Sequence, residues 1–432
     1  MKNRLSFPLL NQAGPFATLH HPPDEGLFSA ENRGLVRQMR QEGLTTRFRA
    51  IRGQIFDFLN VTSFKGVRQL LHDRGRRQEI NRRCAALLGN MFGLDGSERE
   101  IVSAINGYSR TADGVIRYLK AKVMATYAAN IEMTNEIDAI SSPVDLLLII
   151  FDDRYHKKAR FEAKRKLILM GLAGSIDQRE RETGIEGKFY DFLNFLNDNV
   201  WSQRSKIGEL ELAYLLSQHE PENFACQSVR VISPDEARAV EPRPGQKLTL
   251  IKRRRFQAGG REVPIYVSIR KKPPEAKVLK LLRKGEENPA VAVDDELGLM
   301  AVLDSVAEVK LFLTHLTQSA MRAESFMTLE EISDTLTGGY HQGGGIGSSR
   351  LTPMFKFFAR MGGMRVEFII HSNKTYLNYI YQRDISHDEY EIKRIFDSGV
   401  AEMLFPQDIY YLDMADIKER QLRQCRRQIE EG

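Results

Sequence analysis

The chain has 432 residues, a formal net charge of +6 at pH 7 and 42% hydrophobic residues. This length favours two or three domains, and the hydrophobic fraction is sufficient for a sizeable buried core. The modest positive charge permits an anionic partner but does not require one, because strong nucleic-acid-binding proteins usually concentrate their charge. The three cysteines, Cys84, Cys226 and Cys425, match neither a disulfide framework nor a metal-binding spacing, which fits a reducing cytoplasm.

The sequence predicts neither a secretory signal nor a membrane span. Lys2 and Arg4 precede only a short apolar stretch, Leu5–Leu10, which Pro8 interrupts. The longest apolar run, Val144–Phe151, is far shorter than the roughly 20 residues that a membrane-spanning helix needs. We therefore expect a soluble, cytoplasmic protein.

The first half of the chain has a helical pattern. Residues 1 to about 30 are rich in Pro, Gly and His and predict an irregular arm. From about residue 31 to 218, apolar residues recur at three- and four-residue steps, as in Ile116–Ile131, which predicts helices. We assign residues 1–218 to a helical domain of unknown role. The segment His219–Asn223 contains a proline and predicts a linker.

Strand-like alternation begins after this linker and is interrupted by helical segments, which predicts a mixed α+β domain over residues 224–410. Residues 411–432 form a charged C-terminal helix in this scheme. In chain order, the predicted elements are a hairpin of Leu248–Phe256 and Val263–Ile269, a helix at Glu275–Lys284, a buried strand at Val291–Asp304, a helix at Ala307–Thr317, a second hairpin of Met354–Phe358 and Met364–Ile370, and helices at Asp388–Phe396 and Ile417–Ile429.

A run of basic residues lies where the first hairpin passes into a helix, and the only acid within it is Glu275. Pro273 and Pro274 predict a helix start, and unpaired backbone N–H groups at such a position attract phosphate. Lysines directed at one place supply point charges for a triphosphate. The alternative is a solvated basic helix face. The basic residues are Arg270, Lys271, Lys272, Lys277, Lys280, Arg283 and Lys284.

Two carboxylates complete the pattern. Asp295 precedes an apolar strand that contains Gly298, an arrangement that can hold Mg²⁺ beside a phosphate; an acidic loop at the strand end is the alternative. Glu367 interrupts the apolar strand Arg365–His371 and shares its face with Ile369 by alternation. A buried carboxylate needs a metal or a salt bridge. The pattern indicates nucleotidyl- or pyrophosphoryl-transfer chemistry.

Together these elements resemble the synthetase domain of the RelA/SpoT family, the guanosine-alarmone pyrophosphokinases, over roughly residues 225 to 400. The family carries an Arg-x-Lys-x-x-x-Ser-x-x-x-Lys signature, an Asp-x-x-Gly/Ala-x-Arg strand, a Glu-x-Gln-Ile-Arg-Thr strand and a helical His-x-x-Tyr. In that order, the corresponding residues here are Arg270, Lys272, Ala276 and Lys280; Asp295, Gly298 and Met300; Glu367 to Ser372; and His387 and Tyr390.

The resemblance implies a nucleotidyltransferase-like fold that moves pyrophosphate from ATP to the 3′-hydroxyl of a guanine nucleotide or of an RNA such as tRNA. It implies that Asp295 and Glu367 hold Mg²⁺ and act in catalysis, with Glu367 accepting the proton of the attacking hydroxyl. The nucleotide-binding residues that it implies are Arg270, Lys272, Lys280, His371, His387 and Tyr390.

The chain departs from the family pattern at three places. Ala276 replaces the serine, Met300 replaces a phosphate-clamping arginine, and the segment before Met354 lacks the tyrosine that stacks on guanine, for which Tyr340 is the nearest substitute. These departures leave two alternatives open. One is a catalytically degenerate, nucleotide-binding regulator, and the other is an RNA-binding module that uses Lys252–Arg255 on a β-ribbon.

The helical half contains two further motifs. Family members that hydrolyse the alarmone carry a His/His-Asp metal site, but the pair His72-Asp73 has the wrong spacing from His20 and His21, so we predict no such site. A basic run follows this pair and predicts either contact with RNA or a partner, or a solvated helix face. It consists of Arg74, Arg76, Arg77, Arg82 and Arg83.

Overall fold

The irregular arm predicted over residues 1–30, and most of the segment before Met354, lie outside the residues that the structure describes. The side chain of Tyr340 lies outside them as well. In the computed structural model, the chain is described at residues 58–62, 64–202, 210–241, 243–293, 295–325, 327–337, 340–341, 352–361 and 363–431.

The first half of the described chain is helical, as its periodicity predicts. Ser97 and Glu100 form a capping box at the start of one helix. Ser142 caps another, whose first residue is Pro143, a position where proline is tolerated. The helices are α1 (Phe64–Leu70), α2 (Arg74–Met91), α3 (Glu98–Tyr118), α4 (Asn135–Ala139), α5 (Pro143–Phe151), α6 (Lys157–Thr183) and α7 (Ile185–Phe195), with π-helical turns at Leu119–Val123 and Leu196–Val200 and a 3₁₀ turn at Ala125–Asn130.

The second half is built on one mixed sheet, which confirms the predicted α+β class. The strands of the described chain lie in the order β2-β1-β3-β4-β5-β9-β8-β6-β7. Strands β5 and β9 run parallel, and the other neighbouring pairs are antiparallel. The strands are β1 (Glu211–His219), β2 (Cys226–Ile232), β3 (Gln246–Ala258), β4 (Arg261–Lys271), β5 (Leu297–Leu303), β6 (Thr328–Asp334), β7 (Tyr340–His341), β8 (Phe355–Met361) and β9 (Met364–Ser372).

Both predicted hairpins are confirmed, and helices follow the sheet strands. Gly259 and Gly260 both have positive φ, as a two-residue turn between β3 and β4 requires. No helix of the described chain is long and apolar enough to cross a membrane. The remaining helices are α8 (Pro234–Arg238), α9 (Pro274–Lys284), α10 (Pro289–Ala292), α11 (Val306–Arg322), α12 (Asn373–Tyr381), α13 (His387–Asp397), α14 (Val400–Leu404), α15 (Gln407–Tyr410) and α16 (Met414–Glu431).

Three secondary-structure predictions are wrong. Helix was predicted up to residue 218, but strand β1 begins at Glu211 and shows strand-like alternating burial. His219, the first residue of the predicted linker, is the last residue of β1 and is buried. The leucines at 212, 215 and 216 fit helical spacing as well as alternation, which explains the error. The strand predicted over 291–304 begins only at Leu297, because α10 occupies Pro289–Ala292.

Two apolar clusters fix the position of α9. One face of the sheet packs on α11 and on the π-helical turn before Trp201, whose ring stacks on Phe312 at 6.3 Å. A separate cluster joins Val278 and Leu281 of α9 to Leu169 of α6. Helix α9 is therefore held by the helical half at the start of β5.

Candidate functional site

Three residues of adjacent strands form a row across the sheet. In the sheet register, Arg270 lies opposite Gly298, and Gly298 lies opposite Glu367. Gly298 has no side chain, so the arginine can cross it: a Cβ built there would lie 3.4 Å from Arg270 Nε. The Arg270 guanidinium reaches to 3.6 Å from Glu367 Oε2. The glycine thus permits an ion pair across the central strand.

Glu367 is buried, as its place in an apolar strand predicts, with 6% of its surface exposed. Its second oxygen lies 2.8 Å from Nζ of Lys356 on β8. Sequence reasoning did not include Lys356. Its signal is that it is the single charge in Phe355–Phe358 and lies opposite Ile369, on the face that Glu367 occupies. Glu367 thus has the salt bridges that a buried carboxylate needs.

Asp295 lies just before β5, between two lysines. Its carboxylate oxygens are 2.5 Å from Lys272 Nζ and 2.7 Å from Lys280 Nζ. Burial alone would raise the pKa of Asp295, but the charges and hydrogen bonds of both lysines outweigh it and hold that pKa well below its usual value. Burial lowers the pKa of Lys272, against the attraction of Asp295.

The two carboxylate clusters belong to one electrostatic environment. Lys272 contacts Asp295 and also lies within electrostatic range of Glu367, whose charge favours the protonated lysine. The structure therefore brings together the predicted residues Arg270, Lys272, Lys280, Asp295 and Glu367.

Three aromatic rings line the same side of the sheet. The ring of Tyr379 lies 5.3 Å from that of His371 and stacks on that of His387 at 5.2 Å. Burial lowers the pKa of His371 to about 4 and raises the pKa of Tyr379 to about 12, so both are neutral at pH 7. His371 has no exposed surface. Sequence reasoning missed Tyr379; the aromatic run over 376–381, after the Glu367 strand, was the available signal.

Helix α13 borders the candidate site. The Arg394 guanidinium lies over the ring of Tyr390, 5.0 Å from its centroid. Burial lowers the pKa of Arg283 on α9, which also lies within electrostatic range of Arg394, Tyr390, Glu391 and Asp295. Tyr390 therefore lies at the edge of the charged cluster.

The position of the missing arginine is apolar. Met300 lies opposite Ser268 on β4 and Ile369 on β9, two residues along β5 from Gly298. Its side chain packs against a cluster that contains Val302 and Tyr376. An apolar side chain on this face supplies no charge to a ligand.

The site contains two carboxylates, the type of ligand that a hard cation prefers, and both are paired with cations of the chain. Asp295 and Glu367 offer carboxylate oxygens, and Mg²⁺ is commonly bound through one or two carboxylates plus water and phosphate oxygens. Across the described ranges, no group of three or more His, Cys, Asp and Glu side chains is placed to hold a metal. A magnesium ion here would therefore depend on two protein carboxylates and on its bound phosphate.

The other basic and acidic motifs have structural contacts. Arg253 and Arg255 of the predicted RNA-binding ribbon both pair with Glu211, at 2.7 and 2.8 Å. Asp73 of the His-Asp pair caps α2 by accepting a hydrogen bond from the Arg76 backbone N–H at 2.9 Å. The prediction of RNA binding stays a prediction, but two of its arginines have carboxylate partners within the chain.

Comparison with known proteins gave no match. No family model matches the chain, and neither a curated protein nor a solved structure does.

Proposed function

We propose that the cluster around Asp295 and Glu367 binds ATP and transfers its pyrophosphoryl group to the 3′-hydroxyl of a guanine nucleotide or an RNA. The observation that supports this proposal is the charge balance of the cluster. A purely structural ion cluster needs only matched charges, whereas an excess of cations suits a polyphosphate. Among the described residues, the two carboxylates pair with four cations, namely Arg270, Lys272, Lys280 and Lys356.

The residues of the cluster have different proposed roles, according to their exposure and their partners. Arg270 is half-exposed, with 52% of its side chain accessible, and is placed to meet the ligand first. Lys272 and Lys280, which pair with Asp295, would turn their ammonium groups to the phosphates. Mg²⁺ held by Asp295 and Glu367 would neutralise part of the phosphate charge.

The proposed transfer balances as follows. The acceptor oxygen forms a bond to the β-phosphorus of ATP, and the bond from that phosphorus to the α–β bridging oxygen breaks. AMP leaves with the electron pair, and the hydroxyl proton passes to the Glu367 carboxylate. Positioning and charge neutralisation carry most of the catalysis in such transfers. Because Met300 supplies no clamp, we expect a rate about 10²–10³ below that of a site with the arginine.

A second candidate is a regulator that binds the nucleotide without transferring it. Two observations favour this candidate: the apolar packing of Met300 and the complete burial of His371. Both remove polar groups that the family resemblance assigns to the nucleotide. In this second candidate, the same cluster binds the nucleotide, but no pyrophosphoryl transfer follows.

The test is a transfer assay with γ-³²P-ATP and Mg²⁺, offering GDP, GTP, other nucleotides or bulk tRNA as acceptors. Products are separated by thin-layer chromatography, or by denaturing gel for tRNA. Asp295→Asn and Glu367→Gln are the site variants. Glu211→Gln is the matched control, because it also removes a carboxylate held by two cations of the same sheet.

We expect labelled acceptor with the wild type and the control, and none with either site variant. Intact ATP binding without transfer to any acceptor would favour the regulator. Absence of both transfer and ATP binding would contradict the proposal as a whole.

A further inference from the structure

A cavity of about 310 Å³ lies between α2 and α5 in the helical half, and no residue that lines it belongs to the candidate site. Four lining residues of α2 (74, 77, 78 and 81) and four of α5 and its C-terminal end (145, 148, 149 and 152) follow the three- and four-residue spacing of one helix face. The cavity is therefore formed by two facing helix surfaces.

The wall that α2 contributes is polar, although helix faces turned toward a neighbouring helix are normally apolar. Arg74, Arg77, Gln78 and Asn81 form this wall, while leucine and isoleucine side chains, such as Leu148, lie among the lining residues. Burying an arginine in such a place is unfavourable unless a partner neutralises it. The cavity thus contains an unusual concentration of donors.

The arginines of this cavity differ in their partners. Arg154 is held by Asp152 through hydrogen bonds of 2.9 Å from Nε and 2.6 Å from Nη2. Nε of Arg77, by contrast, is shielded from solvent and has no hydrogen-bond partner. Within the described chain, the side chains of Arg77 and Arg74 form no ion pair or hydrogen bond. A part-buried guanidinium without a partner is available to an oxyanion that supplies the missing acceptor.

Asp145 lies on the opposite wall. Its backbone N–H donates to the capping Ser142 at 3.1 Å, but within the described residues its carboxylate has no partner. A carboxylate in this position accepts hydrogen bonds from hydroxyl or amino groups. The cavity therefore presents cations at one side and an acceptor at the other.

We propose that this cavity binds a compact metabolite that carries an oxyanion group and a hydroxyl or amino group. The oxyanion, a phosphate or a carboxylate, pairs with Arg77 and with Arg74 at the rim, because guanidinium binds both groups in a bidentate manner. Asp145 binds the donor end. The volume lies at the lower end of the range for small-molecule sites, which suits a mononucleotide, a sugar phosphate or an amino acid.

This assignment separates two groups within the basic run of α2. Arg74 and Arg77 face the cavity, whereas Arg82 lies 3.6 Å from Glu98 and Arg83 is exposed. The proposal gives the helical half a ligand-sensing role and is independent of the transfer reaction proposed above.

The experiment titrates the full chain with inorganic phosphate, ribose 5-phosphate, AMP and glutamate, using calorimetry and thermal melting. Arg77→Gln removes the guanidinium, and Arg83→Gln is the matched control on the same helix. Lys280→Met disables the candidate site and distinguishes binding there from binding in the cavity. The phosphate and carboxylate probes distinguish the two sources of the oxyanion.

We expect at least one probe to bind the wild type, Arg83→Gln and Lys280→Met, and to bind Arg77→Gln about 10- to 100-fold more weakly. Without probe, Arg77→Gln should melt at or above the wild-type temperature, because the guanidinium has no partner to lose. The proposal is overturned if no probe binds at millimolar concentration, if Lys280→Met rather than Arg77→Gln loses binding, or if unliganded Arg77→Gln melts well below the wild type.

Discussion

Two neighbouring ion clusters include residues of helix α9, and they combine acids and cations in opposite ratios. We call them the closed cluster and the open cluster. In the closed cluster, Lys277 lies 2.5 Å from Glu180 of α6 and 2.7 Å from Glu296, and 1% of the lysine side chain is exposed. In the open cluster, Asp295 lies between Lys272 and Lys280, and the three side chains are 11–17% exposed. Among the described residues, one cation pairs with two acids in the first cluster, and one acid pairs with two cations in the second.

The difference assigns separate tasks to the two clusters. The closed cluster joins the helical half to the residue that follows Asp295, so it fixes the position of α9 against the start of β5. Among the described residues, the open cluster pairs one carboxylate with two lysines, whose side chains are 17% and 11% exposed. An anionic ligand would offset the positive charge there. In this account, the closed cluster fixes α9, and the open cluster is the proposed binding site.

The largest expected effect on stability comes from removing the cation of the closed cluster. Lys277→Met removes the buried cation that pairs with Glu180 and Glu296, whose side chains are 16% and 14% exposed. Removing one partner of a buried ion pair costs about 3–5 kcal/mol. Urea unfolding should therefore show a loss of this size. Lys280→Met is the matched control on the same helix, because Asp295 keeps Lys272. Equal losses of unfolding free energy in the two variants would mean that the closed and open clusters contribute equally to stability.

A smaller effect should appear in the pH dependence of stability, through the buried His371 of the candidate site. The pKa of His371 is lowered to about 4 in the folded protein, below its ordinary value of 6.5, because the imidazole is buried. The unfolded chain therefore binds the proton first as pH falls. The stability that neutral His371 contributes is complete above pH 6.5 and is lost toward pH 4, by about 3 kcal/mol in total.

His371→Phe should remove this component of the acid destabilisation. Tyr379, which packs against the imidazole, stays protonated throughout, because burial raises its pKa to about 12. Free energies of unfolding measured between pH 7 and pH 4 should thus fall more steeply for the wild type than for the variant. Parallel curves would show that His371 does not titrate as described.

The smallest effect is expected at Glu211, an acid between two cations like Asp295 but on another part of the sheet. Its side chain is 39% exposed, and it pairs with Arg253 and Arg255. Exposed ion pairs contribute about 0–1 kcal/mol each. Glu211→Gln should therefore change the free energy of unfolding by about 1 kcal/mol or less. A change as large as that of Lys277→Met would contradict the expectation that an exposed ion cluster contributes less stability than one with a buried cation.

Local signals in the sequence predicted much of the fold. Pro273-Pro274 marked the start of α9, and Gly259-Gly260 marked the turn of the first hairpin. These features depend on backbone conformation within a few residues, so a short segment specifies them. Strand β1 was missed because its leucines satisfy two periods at once, and only pairing with β2 and β3 decides between them.

The sequence predicted most residues of the candidate site, except Lys356 and Tyr379, but not their pairings. Asp295, Glu367 and the basic run were identified as chemical groups, and the family signature singled out Lys280, but the sequence did not show that Lys277 pairs with Glu180. Glu180 lies 97 residues from Lys277, and tertiary packing alone brings them together. The pairing of Glu367 with Lys356 likewise depends on the register of β8 and β9. Long-range contacts of this kind leave no local signal.

The most direct test of the binding-site claim is a calorimetric titration of ATP into the wild type, Lys280→Met and Asp295→Asn, with and without Mg²⁺. Lys280→Met should bind ATP at least about 10-fold more weakly, because it removes one charge-assisted contact to phosphate. Without Mg²⁺, Asp295→Asn should bind ATP at least as tightly as the wild type, because it releases both lysines. Unchanged affinity in Lys280→Met, or loss of metal-free binding in Asp295→Asn, would contradict the account.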